Sequence, residues 1–173
     1  LGDVYKRQGD GGSSCQTCGT GQYAADASTA CASCPAGKFQ GMDGMTTCTN
    51  CTSGQYQNNA ASTSCLDCLQ GQISESAGAT SCADCRRGTY MASTISCLNC
   101  SAGMFQNGMG KAKCEECPEG KYGAQLSGVI NCTECEKGKK QNLRKTTACL
   151  NCESGQYTDT QSNIRCLSCA QGK

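Results

Sequence analysis

The twenty cysteines of this chain fall into ten C-x-x-C pairs, and none lies outside the pattern. The pairs are Cys15/Cys18, Cys31/Cys34, Cys48/Cys51, Cys65/Cys68, Cys82/Cys85, Cys97/Cys100, Cys114/Cys117, Cys132/Cys135, Cys149/Cys152 and Cys166/Cys169. They recur every 15 to 18 residues, with 11 to 14 residues in the loop from one pair to the next. A fixed self-similar period of this kind marks a repeat array rather than a globular domain. The loop is the unit.

Three residues after the second cysteine of every pair stands a glycine: Gly21, Gly37, Gly54, Gly71, Gly88, Gly103, Gly120, Gly138, Gly155 and Gly172. A glycine at a fixed offset marks a backbone position that needs positive φ or lets another segment approach closely, since a β-carbon would obstruct either. Two residues further on stand Tyr23, Phe39, Tyr56, Ile73, Tyr90, Phe105, Tyr122, Lys140 and Tyr157, so seven of the chain's eight aromatics share one position. These seven rings are expected to pack against disulfides rather than to bind a partner.

Tryptophan and histidine are absent and the hydrophobic share of 37% includes the cysteines, so a conventional core is not available. No window shows a helical apolar stripe or an apolar run long enough to span a membrane. The expectation is a small disulfide-rich fold: an elongated tandem array of short β-hairpin-like loops, with almost no helix. Stability must then come from cross-links, backbone bonds and the stacking of loop on loop. Residues 54–57 with residues 63–66 are the expected site of one short ladder, with turns rich in Ser, Thr, Asn and Gly between them.

The odd loops all carry tyrosine at the aromatic position, whereas the even ones carry Phe39, Ile73, Phe105 and Lys140, three of them followed by glutamine (Gln40, Gln106, Gln141). This suggests a true repeat of two loops, about 34 residues, with successive loops facing opposite sides. Residues 1–14 read as a non-repeat segment, and residues 1–8 (LGDVYKRQ) resemble translated adapter sequence, which sets Tyr5 aside as well. Residues 15–173 read as about ten tandem loops, or five two-loop units, truncated at both ends.

The pattern C-x-x-G-x-[YF] followed by C-x-x-C resembles the ephrin-receptor-like cysteine-rich repeat, and residues 152–169 (CESGQYTDTQSNIRCLSC) resemble the first submodule of tumour-necrosis-factor-receptor cysteine-rich domains. The resemblance runs from about Cys15 to the end and implies an extracellular, disulfide-bonded array of the growth-factor-receptor-like type. It does not carry kinase or ephrin function, because no ephrin-binding domain, kinase or membrane span is present in the sequence. The departures are Ile73 and Lys140, where weaker packing is expected.

Spacing does not fix the connectivity. Analogy with the receptor submodule favours loops closed on themselves: Cys18–Cys31, Cys34–Cys48, Cys51–Cys65, Cys68–Cys82, Cys85–Cys97, Cys100–Cys114, Cys117–Cys132, Cys135–Cys149 and Cys152–Cys166, with Cys15 and Cys169 left over. The rival pairs first with first and second with second, as in Cys15–Cys31 with Cys18–Cys34, and leaves no cysteine unpaired.

An intracellular zinc array, with four cysteines to each metal, is the alternative reading. Thirteen residues separate Cys34 from Cys48, so the two pairs around them have an acceptable zinc spacing. The same spacing joins nearly every neighbouring pair, however, which leaves no obvious division into sites. Fifteen Lys and Arg against fourteen Asp and Glu do not give the basic surface of a nucleic-acid-binding array, so no nucleic-acid partner is expected. A thioredoxin-like redox role would need the motif at a helix start. No catalytic constellation is visible, and without histidine the usual general base is missing. Neither an enzyme nor a cofactor is expected.

Asn50, Asn99 and Asn131 head sequons (Asn50-Cys51-Thr52, Asn99-Cys100-Ser101, Asn131-Cys132-Thr133) and are candidate glycosylation sites. Lys137, Lys139, Lys140, Arg144 and Lys145 form a basic cluster beside Glu134 and Glu136, as Lys111 and Lys113 stand near Glu115 and Glu116. A solvated face is the simpler reading of both. The whole reads as part of the ectodomain of a secreted or cell-surface protein, a spacer or a recognition module for a protein or glycan ligand, with residues 137–145 the first candidate surface.

Overall fold

A computed structural model describes residues 6–8, 15–26, 30–124 and 127–170, with residues 6–8, 15 and 16 described through their backbone alone. Tyr5, Gly172 and the side chain of Cys15 lie outside the described residues. There is no helix among these residues, and the strands form ten two-stranded sheets.

Nine of these sheets follow one rule that starts at the cysteine pairs. The two residues after the repeat glycine form one short strand, and the two residues between the cysteines of the next pair form its antiparallel partner. Gln22–Tyr23 thus pairs with Ala32–Ser33, Lys38–Phe39 with Thr49–Asn50, and Gln55–Tyr56 with Leu66–Asp67. The rule continues through Met104–Phe105 with Glu115–Glu116, Lys121–Tyr122 with Thr133–Glu134, Lys139–Lys140 with Leu150–Asn151, and Gln156–Tyr157 with Leu167–Ser168. Gln72–Ile73 with Ala83–Asp84 also follows it, and Thr89–Ser93 with Ser96–Asn99 is the same hairpin lengthened to five and four residues, which completes the nine. The tenth sheet pairs Lys6–Gln8 with Cys15–Thr17.

The ladder expected of residues 54–57 with residues 63–66 forms at its edge: Tyr56 pairs with Leu66, the last residue of the expected partner, and Gln55 with Asp67 just beyond it, while residues 63–65 stay outside the ladder. The Gln57 side chain supplies the reason: its Nε2 donates to the Ser64 carbonyl at 2.8 Å and its Oε1 accepts from the Asn59 amide at 3.1 Å. A side-chain bridge occupies the place where the ladder would have continued.

The repeat glycine is both a turn residue and a point of close approach. In each described loop the residue after the glycine donates its N–H to the carbonyl three residues back, as Lys38 does to Pro35 at 3.1 Å. The glycine is then the third residue of a β-turn and holds positive φ, +83° at Gly37, as a type II turn requires. Its carbonyl accepts from the second cysteine of the next pair, as Gly37 does from Cys51 at 2.9 Å. One C-x-x-G segment thus makes the turn and anchors the hairpin.

The loops are closed by nine disulfides: Cys18–Cys31, Cys34–Cys48, Cys51–Cys65, Cys68–Cys82, Cys85–Cys97, Cys100–Cys114, Cys117–Cys132, Cys135–Cys149 and Cys152–Cys166. The cysteine that opens a loop is the interior residue in all but the last, where Cys152 is half-buried; Cys34, Cys51, Cys100, Cys117 and Cys135 are at 0% exposure. The seven aromatics do not form a core. Six are half-buried and Tyr157 is exposed, because a two-stranded hairpin covers only one side of a ring and the sulfurs already fill the interior. Ile73 reverses the expectation of weaker packing: it is buried at 8% exposure, its short branched side chain fitting where a ring stays partly outside.

The chain divides into two compact units, residues 1–83 with 93–96 and residues 84–92 with 97–173. In the first, three backbone bonds tie each loop to the next. Gly21 N–H donates to Gln40, Ala24 N–H to Met45, and Gly44 N–H returns to the Cys18 carbonyl. Gly37 to Gln57, Gln40 to Ser62 and Ala61 to Cys34 repeat the joint one loop later, and Gly54 to Ser74, Gln57 to Ala79 and Gly78 to Cys51 repeat it again. In the second unit the same triplet recurs, for example as Gly120 to Gln141, Gly123 to Thr146 and Lys145 to Cys117, all between 2.7 and 2.9 Å. These backbone joints do not distinguish odd loops from even ones.

Four loops add a brace that is made by a side chain. Gln40, Gln57, Gln106 and Gln141, each three residues after the repeat glycine, are 2–6% exposed. Each donates to the carbonyl seven residues on and accepts from the amide two residues on, as Gln106 does with Lys113 at 2.9 Å and Gly108 at 3.0 Å. Gln106→Ala leaves both backbone groups unpaired and is expected to lower stability by about 1–3 kcal/mol. A urea midpoint equal to that of the parent protein would show that the brace contributes nothing.

Candidate functional site

The surface that the sequence singles out lies in the second unit, in the loop closed by Cys135–Cys149. Lys139 and Lys140 form the strand after Gly138 and pair with Leu150–Asn151. Lys140 stands where other loops carry a ring, and it is half-buried like them. Lys145 takes the left-handed turn of the loop at φ +58° and is exposed.

The cluster is partly neutralised, once by a neighbour in sequence and once by a distant partner. Lys139 Nζ lies 2.9 Å from Glu136 Oε2, within the loop. Arg144 Nε reaches Glu116 Oε2 at 3.7 Å, two loops back. Glu134 is engaged elsewhere, its Oε1 3.0 Å from Lys121 Nζ. Lys137, Lys140 and Lys145 form no ion pair among the described residues.

The hydrogen bond and charge of Lys121 hold the Glu134 carboxyl below its ordinary range. Likewise, the hydrogen bond and charge of Glu136 raise the Lys139 ammonium. The stabilisation from Glu134 is present above the ordinary carboxylate range and is lost as pH falls through its depressed value. That from Lys139 is present below the ordinary lysine range and is lost as pH rises through its raised value. Both pairs face solvent and contribute little. Neither makes stability depend on pH near neutrality.

A second set of positions escaped the reading of the sequence. The residue just before the second cysteine of each pair is polar in all ten pairs: Thr17, Ser33, Asn50, Asp67, Asp84, Asn99, Glu116, Glu134, Asn151 and Ser168. At Asn50, Asp84, Asn99 and Glu116 this residue meets the turn of a loop further along the array. A β-carbon built on Gly78 would lie 3.6 Å from the Asn50 carboxamide, and one on Gly128 would lie 3.6 Å from Asn99 Oδ1. On Gly110 it would lie 3.1 Å from Asp84 Oδ1. The same kind of turn carries Arg144, paired with Glu116. Ten polar residues at one offset were the available signal.

The remaining predicted residues are placed as follows. Cys169 is free and exposed. Asn50, Asn99 and Asn131 are all exposed. No group of three or more metal-ligating side chains comes together among the described residues, and eighteen cysteines bonded to one another offer no thiolate. The zinc reading is therefore not supported. No helix among the described residues is long and apolar enough to cross a membrane.

Self-closed loops joined by backbone bonds around buried sulfurs define an extracellular cysteine-rich repeat. The family model described as tyrosine-protein kinase ephrin type A/B receptor-like matches residues 21–54, 37–85 and 88–135, more than half of the chain. The chain belongs to this ephrin-receptor-like family, through a module of the receptor-ectodomain type rather than a catalytic one. Among curated proteins, none matches the chain.

Proposed function

We propose that this segment serves as a semi-rigid spacer in the ectodomain of a secreted or cell-surface protein and has no catalytic role. The observation that carries the reading is the make-up of the joints. Backbone donors and acceptors tie loop to loop, so the order of the array does not depend on which side chains face outward. Exchange of the exposed residues in the loop closed by Cys51–Cys65, such as Asn58, Asn59 and Thr63, is expected to leave secretion and unfolding midpoint unchanged. A shift in either would count against a spacer.

The basic loop supports a second reading, recognition of an anionic glycan. Its support is the three lysines, Lys137, Lys140 and Lys145, left without acidic partners. The variant Lys137→Ala/Lys140→Ala/Lys145→Ala is expected to lose retention on immobilised heparin while keeping the parent's stability. Equal retention of variant and parent, or no retention of either at physiological salt, would remove this reading and leave the spacer alone.

A further inference from the structure

We infer that Asn131 is an N-glycosylated residue and that Asn50 and Asn99 remain bare, an inference that rests on the extracellular reading. All three head a sequon, but the fold treats them differently. Asn50 and Asn99 lie inside a C-x-x-C bracket, between two cysteines bonded into successive loops: Cys48 to Cys34 and Cys51 to Cys65 in one case, Cys97 to Cys85 and Cys100 to Cys114 in the other. Their carboxamides rest against the left-handed turns at Gly78 and Gly128. Those turns also donate the returning bond of each joint, Gly78 to the Cys51 carbonyl and Gly128 to the Cys100 carbonyl. A sugar on either carboxamide would press on a turn that holds two loops together.

Asn131 stands one residue before its bracket. All three asparagine side chains are exposed, but Asn131 is the one outside a bracket, and neighbouring Ile130 is 45% exposed. Thr133, the hydroxyl residue of the sequon, is exposed while its backbone pairs with Tyr122. An open depression of about 440 Å³ is bordered by Ala124, Gly128, Val129, Ile130, Asn131 and Thr133. The first sugar has room there and covers an apolar side chain, which suits the apolar face of a hexose ring.

The donor is a lipid-pyrophosphate-linked oligosaccharide of the secretory lumen. Asn131 Nδ2 gives up a proton and forms a bond to the sugar C1. The C1–O bond to the pyrophosphate breaks, and the lipid pyrophosphate leaves with its electron pair. No oxidant or reductant is involved.

The test is intact mass of the full chain secreted from eukaryotic cells, before and after peptide-N-glycosidase, with thiols counted on the same sample. One glycan is expected on the parent, on Asn50→Gln/Asn99→Gln and on Thr133→Ser. None is expected on Asn131→Gln or Thr133→Ala. A glycan that persists in Asn131→Gln would overturn the assignment. So would a secreted, disulfide-bonded parent whose mass the glycosidase does not change, and in that case the extracellular reading stands. Protein held in the cell with free thiols would overturn both.

Discussion

Reduction of the nine disulfides is expected to unfold both units, with loss of hairpin structure and of resistance to proteolysis at neutral pH. The cross-links close loops of 12 to 15 residues, and a loop of about that size contributes roughly 3 kcal/mol by restricting the unfolded chain. Little else can replace them: among the described residues the buried apolar ones are mainly the cysteines themselves, with Ala24, Ile73 and Val129 the others. Removal of one bond is expected to be milder. Cys100→Ala/Cys114→Ala should cost about 3 kcal/mol and should weaken the amides of that loop most, since the joints on both sides are made by backbone. Reduced protein that keeps its protease resistance would contradict the view that sulfur holds the interior.

The repeat glycine carries the second large effect. A β-carbon at Gly103 would overlap the carbonyl of Lys145, two loops further on, at a backbone φ of +77°. The same overlap would arise between Gly21 and Ala61, Gly37 and Gly78, and Gly120 and Ser162. Gly155 has the same backbone, φ +81°, with nothing within 4 Å. Gly155→Ala should therefore cost only the left-handed strain, about 1–2 kcal/mol. Gly103→Ala should cost that and a further 1–3 kcal/mol or so for forcing two backbones apart. Hydrogen exchange at the Lys145 amide, which donates to Cys117 at 2.9 Å, should accelerate in Gly103→Ala and stay unchanged in Gly155→Ala. Equal behaviour of the two variants would show that the close approach contributes nothing.

That comparison also shows what the sequence could reveal. Glycine at a fixed offset announced a left-handed turn or a close approach, and the structure contains both. The residue it approaches stands two loops away, and one chain's spacing holds no signal for so distant a partner. Strands of two residues are too short to show a period-2 pattern. Spacing therefore gives the partner of Gln55–Tyr56 only as residues 63–66, whereas a buried glutamine and the cysteine bracket confine it to the end of that stretch, Leu66–Asp67. The glutamines themselves stood out as a regularity, but their role as braces did not, because nothing in composition separates a buried amide from a solvated one. Glu134 looked like a neutraliser of its own loop. In the fold, cross-strand pairing of Lys121–Tyr122 with Thr133–Glu134 gives it to Lys121.

The most direct test of the central claim is a thiol and disulfide map of the secreted protein: alkylation without and with reduction, peptide assignment by mass, and zinc analysis of the same sample. Eighteen cysteines, Cys18 through Cys166, should resist alkylation until reduced, appear as the nine loop-closing pairs and carry no zinc, while Cys169 reacts at once. Free thiols throughout, with zinc bound to pairs of C-x-x-C motifs, would contradict it.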